Sequence, residues 1–276
     1  MICKEIGTSP DIIDKMSQFY LKNRTIISIS QVCPQLSNVV LSNPSLLQDI
    51  YLDHMSEVCK TAGLCLDLIK GVDCPINIYL DLQQKAPPSP EVRKLLGRIR
   101  TLTPRVESFE ILGELESCEE FFSAPAPSLR RLFHHFRPFG HGVLFQGETP
   151  LLENLTTAWT TAGAQWVSSP LPNLTQLDIA SSTFGSTLLR PFLNMLAGTN
   201  SLRCLTLHGL AFRSDLPCER VTLSQLQTLC LYSSDIQTLL GHLHAPAVRK
   251  VRFNGYSHYP GQVSPAPLFD SPHLFS

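Results

Sequence analysis

The hydrophobic positions from residue 106 onward recur in a fixed frame. Apolar residues occupy relative positions 1, 4 and 6 in five copies: Val106/Phe109/Ile111, Leu174/Leu177/Ile179, Leu202/Leu205/Leu207, Leu226/Leu229/Leu231 and Val248/Val251/Phe253. Two further copies have a polar sixth position, Leu129/Leu132/His134 and Leu152/Leu155/Thr157. Because residues two apart share one face of a strand, each copy predicts a short strand whose fourth and sixth positions face a core.

The spacing of these copies defines the expected architecture. First positions are separated by 23, 23, 22, 28, 24 and 22 residues, which is typical of leucine-rich repeats. The fold class expected is therefore α/β, a leucine-rich-repeat solenoid of short parallel strands with helical or irregular return segments, over residues 104–276. Pro272-His273-Leu274 resembles the start of an eighth copy, so we expect the solenoid to be incomplete at its C-terminus.

Two return segments have helical spacing. Leu188, Leu189, Phe192, Leu193 and Leu196 would share one buried face of a helix ending at Gly198, and Ile236, Leu239, Leu240 and Leu243 repeat the arrangement. Proline stands two residues before the first position in five copies, at Pro104, Pro127, Pro150, Pro172 and Pro246. We expect these prolines to end the return helices and to favour extended backbone as each strand begins.

Residues 8–50 do not follow the repeat. Apolar residues at Ile26, Ile27, Ile29 and Val32, and then at Leu36, Val39 and Val40, predict a small helical unit, with Pro34 at the start of a helix. Residues 51–103 are expected to connect this unit to the repeats, with the first strand near residues 75–82.

Short motifs in this segment resemble a known family. Pro10-Asp11-Ile12-Ile13, Ile29-Ser30-Gln31-Val32-Cys33 and Leu41-Ser42-Asn43-Pro44-Ser45-Leu46 are similar, in order, to the landmarks of an F-box-like domain. With Cys74-Pro75-Ile76-Asn77-Ile78-Tyr79-Leu80-Asp81-Leu82 and the leucine repeats, nearly the whole chain resembles F-box/leucine-rich-repeat proteins abundant in mushroom-forming fungi.

The resemblance implies a substrate receptor of a Skp–cullin–F-box ubiquitin ligase. The helical unit would dock on the Skp adaptor, and the repeats would hold a protein substrate. The adaptor-binding residues implied are Pro10, Ile12, Ile13, Val32, Cys33 and Leu36. Leu36 stands where the family usually has a tryptophan, and large aromatic residues dominate the energetics of small interfaces. An alternative is therefore a scaffold that has lost adaptor binding and whose residues 8–50 cap the solenoid.

Composition narrows the classes of protein and of partner that the chain could represent. Charged residues make up 16% of the chain and hydrophobic residues 43%, with a net charge of −1, which excludes intrinsic disorder. A near-zero net charge argues against a dedicated nucleic-acid or anionic-membrane binder. No apolar run reaches a membrane span or a signal peptide, and nine scattered cysteines fit reduced thiols, so a cytoplasmic or nuclear location is expected.

The polar residues contain no familiar catalytic or metal-binding motif. No G-x-S-x-G, H-E-x-x-H or P-loop motif is present, so no enzyme activity, cofactor or metal is expected. Cys59, Cys65 and Cys74 lack zinc-site spacing and are expected to be buried thiols. Two histidine groups leave open a hydrolase or metal site: His134/His135/His141 and His242/His244. Six arginines could line a surface for acidic peptide, although Glu114, Glu116, Glu119 and Glu120 lie between them: Arg98, Arg100, Arg105, Arg130, Arg131 and Arg137.

Overall fold

The computed structural model describes residues 10–53, 55–82, 89–113, 124–134, 145, 148–159, 171–181, 186–213, 218–232 and 236–253. The helices are α1 (Pro10–Ser30), α2 (Pro34–Leu41), α3 (Ser56–Ile69), α4 (Pro90–Leu102), α5 (Leu189–Ala197) and α6 (Ile236–Leu240). Two 3₁₀ turns lie at Pro44–Leu46 and Thr103–Arg105.

Nine strands form one parallel sheet in the order of the sequence. They are β1 (Asp49–Leu52), β2 (Ile76–Leu82), β3 (Val106–Gly113), β4 (Arg131–His134), β5 (Asn154–Trp159), β6 (Gln176–Ser181), β8 (Cys204–His208), β11 (Thr228–Tyr232) and β13 (Lys250–Phe253). Two short parallel pairs accompany it: β7 (Ser186–Leu188) with β9 (Ala211–Arg213), and β10 (Val221–Thr222) with β12 (Leu243–His244). The fold class is α/β.

Strand register follows the repeat frame from one copy to the next. The fourth positions Phe109, Leu132, Leu155, Leu177, Leu205, Leu229 and Val251 are partners on successive strands. Their side chains are buried except for that of Val251, on the last strand, which is partly exposed. The frame read from the sequence is therefore confirmed as a row of apolar side chains across the sheet.

Two strands extend these rows beyond the predicted copies. Ile50 and Leu52 of β1 pair with Ile78 and Leu80 of β2, which pair in turn with Phe109 and Ile111 of β3. The strand expected near residues 75–82 is present as β2, but it is the second strand. The division proposed at residue 50 runs through β1, and residues 51–103 supply a strand and two helices to the same layers, so they are not a mere connector.

The core lies between the buried rows of the sheet and the helices. Helix α4 shows why these segments fold as they do: Ser89 caps it by accepting a hydrogen bond from the Val92 amide at 3.2 Å, and Pro90 occupies the first turn. Its buried residues Val92, Leu95, Leu96 and Ile99 recur at helical spacing. They join one continuous cluster with α3, α5 and the strand rows.

The return segments agree in part with expectation. Helix α5 covers the predicted apolar residues from Leu189 to Leu196 and ends before Gly198, but Leu188 belongs to β7. Helix α6 is a single short helix, and Leu243 lies in β12. Both differences arise because residues at the ends of the return segments form the short parallel strand pairs and are therefore not helical.

The prolines have a different role from the one expected. In six copies the amide of the first-position residue donates to the carbonyl three residues earlier, at 3.1–3.2 Å, and four of these turns contain the proline: Leu129 to Ala126, Leu152 to Thr149, Leu174 to Leu171 and Val248 to Ala245. Proline is thus the second residue of a tight turn, where its fixed φ fits and its missing N–H is not needed. Only Pro104 follows a helix directly, in the 3₁₀ turn after α4.

Candidate protein-binding surfaces

Helices α1 and α2 meet at a corner with an exposed apolar surface. The chain leaves α1 through hydrogen bonds from the Gln31 amide to the Ile27 carbonyl and from the Val32 amide to the Ile29 carbonyl. Cys33 is extended at the N-cap of α2 and Pro34 follows in its first turn, as expected. Exposed apolar side chains around this turn are Ile29 (41%), Val32 (72%), Leu36 (37%), Val39 (54%) and Leu41 (39%). We call these five residues the apolar corner.

The six residues implied as adaptor-binding fall into two groups. Val32, Cys33 and Leu36 lie together at the apolar corner. Pro10, Ile12 and Ile13 lie in the first turn of α1, which is one continuous helix of 21 residues. At about 1.5 Å of rise per residue, the two groups are separated by roughly 30 Å. The structure therefore does not bring them onto one small patch.

Helix α1 is held against the first edge of the sheet by buried polar contacts. Asp49 accepts hydrogen bonds at its carboxylate from Lys22 Nζ (2.8 Å) and Asn77 Nδ2 (2.8 Å), and at its carbonyl from Asn23 Nδ2 (2.6 Å). The Asp49 side chain is only 8% exposed, whereas that of Lys22 is 37% exposed. These contacts join the helical unit to β1 and β2 and cover an edge strand that would otherwise be open to another chain.

An aromatic contact extends this attachment onto the face of the sheet opposite the core, which we call the outer face. Phe19 of α1 stacks on Tyr79 of β2 with ring centroids 4.5 Å apart. Tyr79 and Leu112 form a small buried cluster with Phe19, Tyr51 and Phe133 packed around it. Burial raises the pKa values of Tyr51 and Tyr79, with nearby carboxylates adding to the shift, so both phenols stay protonated.

The outer face carries a polar group further along the sheet. His208 Nε2 lies 3.5 Å from Asp178 Oδ1, and the His208 ring stacks on Tyr232 with centroids 4.6 Å apart. Burial raises the pKa of Asp178, and His208 opposes this shift. Burial also raises the pKa of the neighbouring Cys204 thiol. A raised thiol pKa disfavours the thiolate that a nucleophilic cysteine requires, so the group is better suited to contact than to covalent chemistry.

The second position of each repeat forms a ladder along the edge where strands begin. The amide of each member donates to the carbonyl of the preceding one at 2.8–2.9 Å. We call these residues the entry ladder: Glu107, Arg130, Glu153, Thr175, Arg203, Gln227 and Arg249. Arg130 makes ion pairs with both neighbours, to Glu153 at 2.5 Å and to Glu107 at 3.7 Å. This ladder was not singled out from the sequence, although the repeat frame contains it.

The arginines expected to form one surface have separate roles. Arg98 pairs with Asp67 at 2.6 Å on the helical side. Arg105 donates to the carbonyls of Cys74, Val72 and Ile69 and closes the loop before β2. Arg130 belongs to the entry ladder, Arg100 lies at the end of α4 and Arg131 begins β4. Arg137 and the four intervening glutamates lie outside the described residues.

The cysteines and histidines give no candidate metal centre in the part of the chain that the structure describes. Cys59, Cys65 and Cys74 are buried, as expected. His134 is buried at the sixth position of its repeat, a core site, and His242 and His244 are partly buried beside β12. His135, His141 and Pro272-His273-Leu274 are not among the described residues. In the same described ranges, no helix has the length and apolar character needed to cross a membrane.

Comparison with known proteins identifies no similar protein. Neither protein-family models, nor curated proteins, nor solved structures give a match to this chain. The surfaces themselves therefore carry the functional argument.

Proposed function

We propose that the chain is a non-catalytic protein-recognition module, the substrate receptor of a Skp–cullin–F-box ubiquitin ligase. In this proposal the unit predicted over residues 8–50, whose helices end before β1, is F-box-like, and the repeats form a leucine-rich-repeat solenoid. The receptor holds a protein substrate near the ubiquitin-conjugating machinery, which raises its effective concentration without any chemistry by the receptor.

The apolar corner is the observation that carries the proposal. Five exposed aliphatic side chains lie within 13 residues around one turn, and a concentration of exposed apolar residues is a feature of interaction sites in folded proteins. Val32 and Leu36, which the F-box resemblance implies as adaptor contacts, are two of the five. The parallel sheet of nine strands, which follow one another in sequence order, supports the solenoid, because the apolar residues of each copy lie in register with those of the adjacent copies.

A specific observation also favours the alternative, a scaffold that does not bind the adaptor. Phe19, Lys22 and Asn23 fasten α1 across the edge of the sheet, which is what a terminal cap of a solenoid must do. Leu36 adds to this alternative, since it offers less buried area than the tryptophan usual at that position in the family.

Co-purification of the full chain with a Skp-type adaptor separates the two functions. The receptor predicts a complex that survives size-exclusion chromatography, that Val32→Asp disrupts and that Leu36→Trp strengthens. Leu64→Asp is the matched control for Val32→Asp, since Leu64 is likewise an exposed aliphatic residue (42%) but lies on α3. If neither the wild type nor Leu36→Trp binds the adaptor, the receptor proposal is wrong and the scaffold remains.

A further inference from the structure

The entry ladder changes character along its length. In its first part Glu107, Arg130 and Glu153 compensate one another through the ion pairs described above. After Thr175 the ladder continues with Arg203, Gln227 and Arg249. Lys250, the first residue of β13, comes directly after Arg249 in the chain. Arg203, Arg249 and Lys250 are exposed, and they have no ion pair or side-chain hydrogen bond within the described ranges. Two unpaired cations of the ladder, with Lys250 beside the second, thus lie at the end of a row whose other charges are paired.

A groove accompanies this change. A cleft of about 390 Å³ runs along the turns that precede β5, β6, β8 and β11, and its lining includes Glu153, Thr175, Arg203 and Gln225. Leu151, 39% exposed, supplies an apolar wall. The groove therefore offers hydrogen-bonding side chains and one unpaired cation along an edge, which suits an extended polar segment.

Charge is unevenly distributed between the two halves of the protein. Residues 176–276 contain seven Arg or Lys against five Asp or Glu, whereas residues 1–175 contain fifteen against eighteen, in a chain whose net charge is −1. The C-terminal part is thus slightly positive and the remainder slightly negative, and this difference favours approach of an anionic partner to the C-terminal part.

We propose that the groove and the cationic end of the entry ladder bind a carboxylate-rich segment of a partner protein, with its acidic side chains on Arg203, Arg249 and Lys250. Arg203 and Arg249 are separated by one intervening strand, which places them roughly 10 Å apart at about 4.8 Å per strand. Several singly charged carboxylates along an extended peptide match this spread better than one phosphate, which calls for convergent guanidinium groups.

The inference rests on the proposed function, since it names the class of partner that the recognition module takes. Fluorescence anisotropy of the full chain tests it with two labelled peptides: an alternating glutamate–serine peptide and the same peptide with glutamine. We expect the glutamate peptide alone to bind, with an affinity that falls steeply when salt is raised from about 0.05 M to about 0.5 M, because exposed ion pairs are screened.

A double variant, Arg203→Gln with Arg249→Gln, should weaken binding of the glutamate peptide by about five- to thirtyfold, since each lost contact is a charge pair at the surface. The matched control is Arg190→Gln with Arg220→Gln, which removes the same charge from exposed arginines of the same half, on the return side. Loss in the control should stay within about twofold.

Three results would overturn the inference: equal binding of the two peptides, equal losses in the two double variants, or a labelled single-stranded RNA that binds more tightly through Arg203 and Arg249. The third would make the surface a nucleic-acid site. Failure of the receptor function is measured separately, as loss of the adaptor complex. A chain that binds the adaptor and not the peptide refutes only this inference.

Discussion

Substitution of Asp49 tests how the helical unit is joined to the sheet. Asp49→Ala removes the acceptor of two hydrogen bonds, from Lys22 and from Asn77. Asn77 is 9% exposed, and a buried donor that loses its acceptor costs about 1–3 kcal/mol. Lys22 is 37% exposed and can turn to water, so loss of its ion pair costs at most about 1 kcal/mol. The contact from Asn23 goes to the Asp49 carbonyl and persists.

The expected loss in free energy of unfolding is therefore about 1–4 kcal/mol. Urea unfolding followed by circular dichroism measures it. Asp67→Ala is the matched control: Asp67 is paired with Arg98 at 2.6 Å but is 66% exposed, and its loss should cost less than about 1 kcal/mol. Equal costs for the two variants would show that burial does not set the strength of the Asp49 contacts, and that α1 is not fastened to the sheet through them.

Three further predictions concern the core, one carboxyl group and the thiols. Leu205→Ala should reduce the free energy of unfolding by about 2–5 kcal/mol, and Val251→Ala, on the partly exposed last strand, should cost clearly less in the same urea titration. Because burial raises the pKa of Asp178 above its ordinary 3.8, the folded state binds this proton more tightly than the unfolded chain, and the carboxyl lowers stability as pH rises. Asp178→Asn should then be more stable than the wild type at about pH 7 and equal to it near about pH 3; a gap that widens on acidification would contradict the sign. Burial raises the pKa of Cys65 to about 12, so alkylation mapped by mass spectrometry should modify the half-buried Cys33 and leave Cys65 unmodified until the protein unfolds.

The repeat frame made most of the sheet predictable from the sequence. Positions 1, 4 and 6 fix which side chains are buried and, through the alternation of a strand, which residues become partners on neighbouring strands. Phe109 and Leu132 are in register in this way although 23 residues separate them. The degraded copies kept this register because the fourth position stayed leucine while the sixth became His134 or Thr157.

The sequence predicts β2 near residues 75–82 but not β1, and it places neither strand in the repeat frame, for identifiable physical reasons. Leu47-x-x-Ile50-x-Leu52 matches the frame. It comes directly after a segment that resembles the end of an F-box, and the predicted helical unit therefore includes residues up to 50. In the second copy a register shift between Ile76 and Asn77 opposes two residues of β2 to three of β3. A bulge of this kind moves the apolar positions by one and hides the pattern.

The candidate surfaces were less predictable than the fold. Exposure decides which apolar residues of α1 and α2 form the apolar corner, and it depends on packing against the sheet: Ile26 and Ile27 are buried, whereas Ile29 is exposed. The entry ladder needs the register of distant segments before Arg130 can be seen between Glu107 and Glu153. The periodicity of one sequence does not show which residues of distant segments become neighbours in space.

Isothermal titration calorimetry of the full chain with a Skp-type adaptor, at several temperatures, tests the central claim most directly. Docking on the apolar corner buries aliphatic surface, so the account predicts one adaptor per chain and a clearly negative heat-capacity change that shrinks in Val32→Ser. Absence of binding, or binding whose heat-capacity change is near zero and unaffected by Val32→Ser, would contradict it.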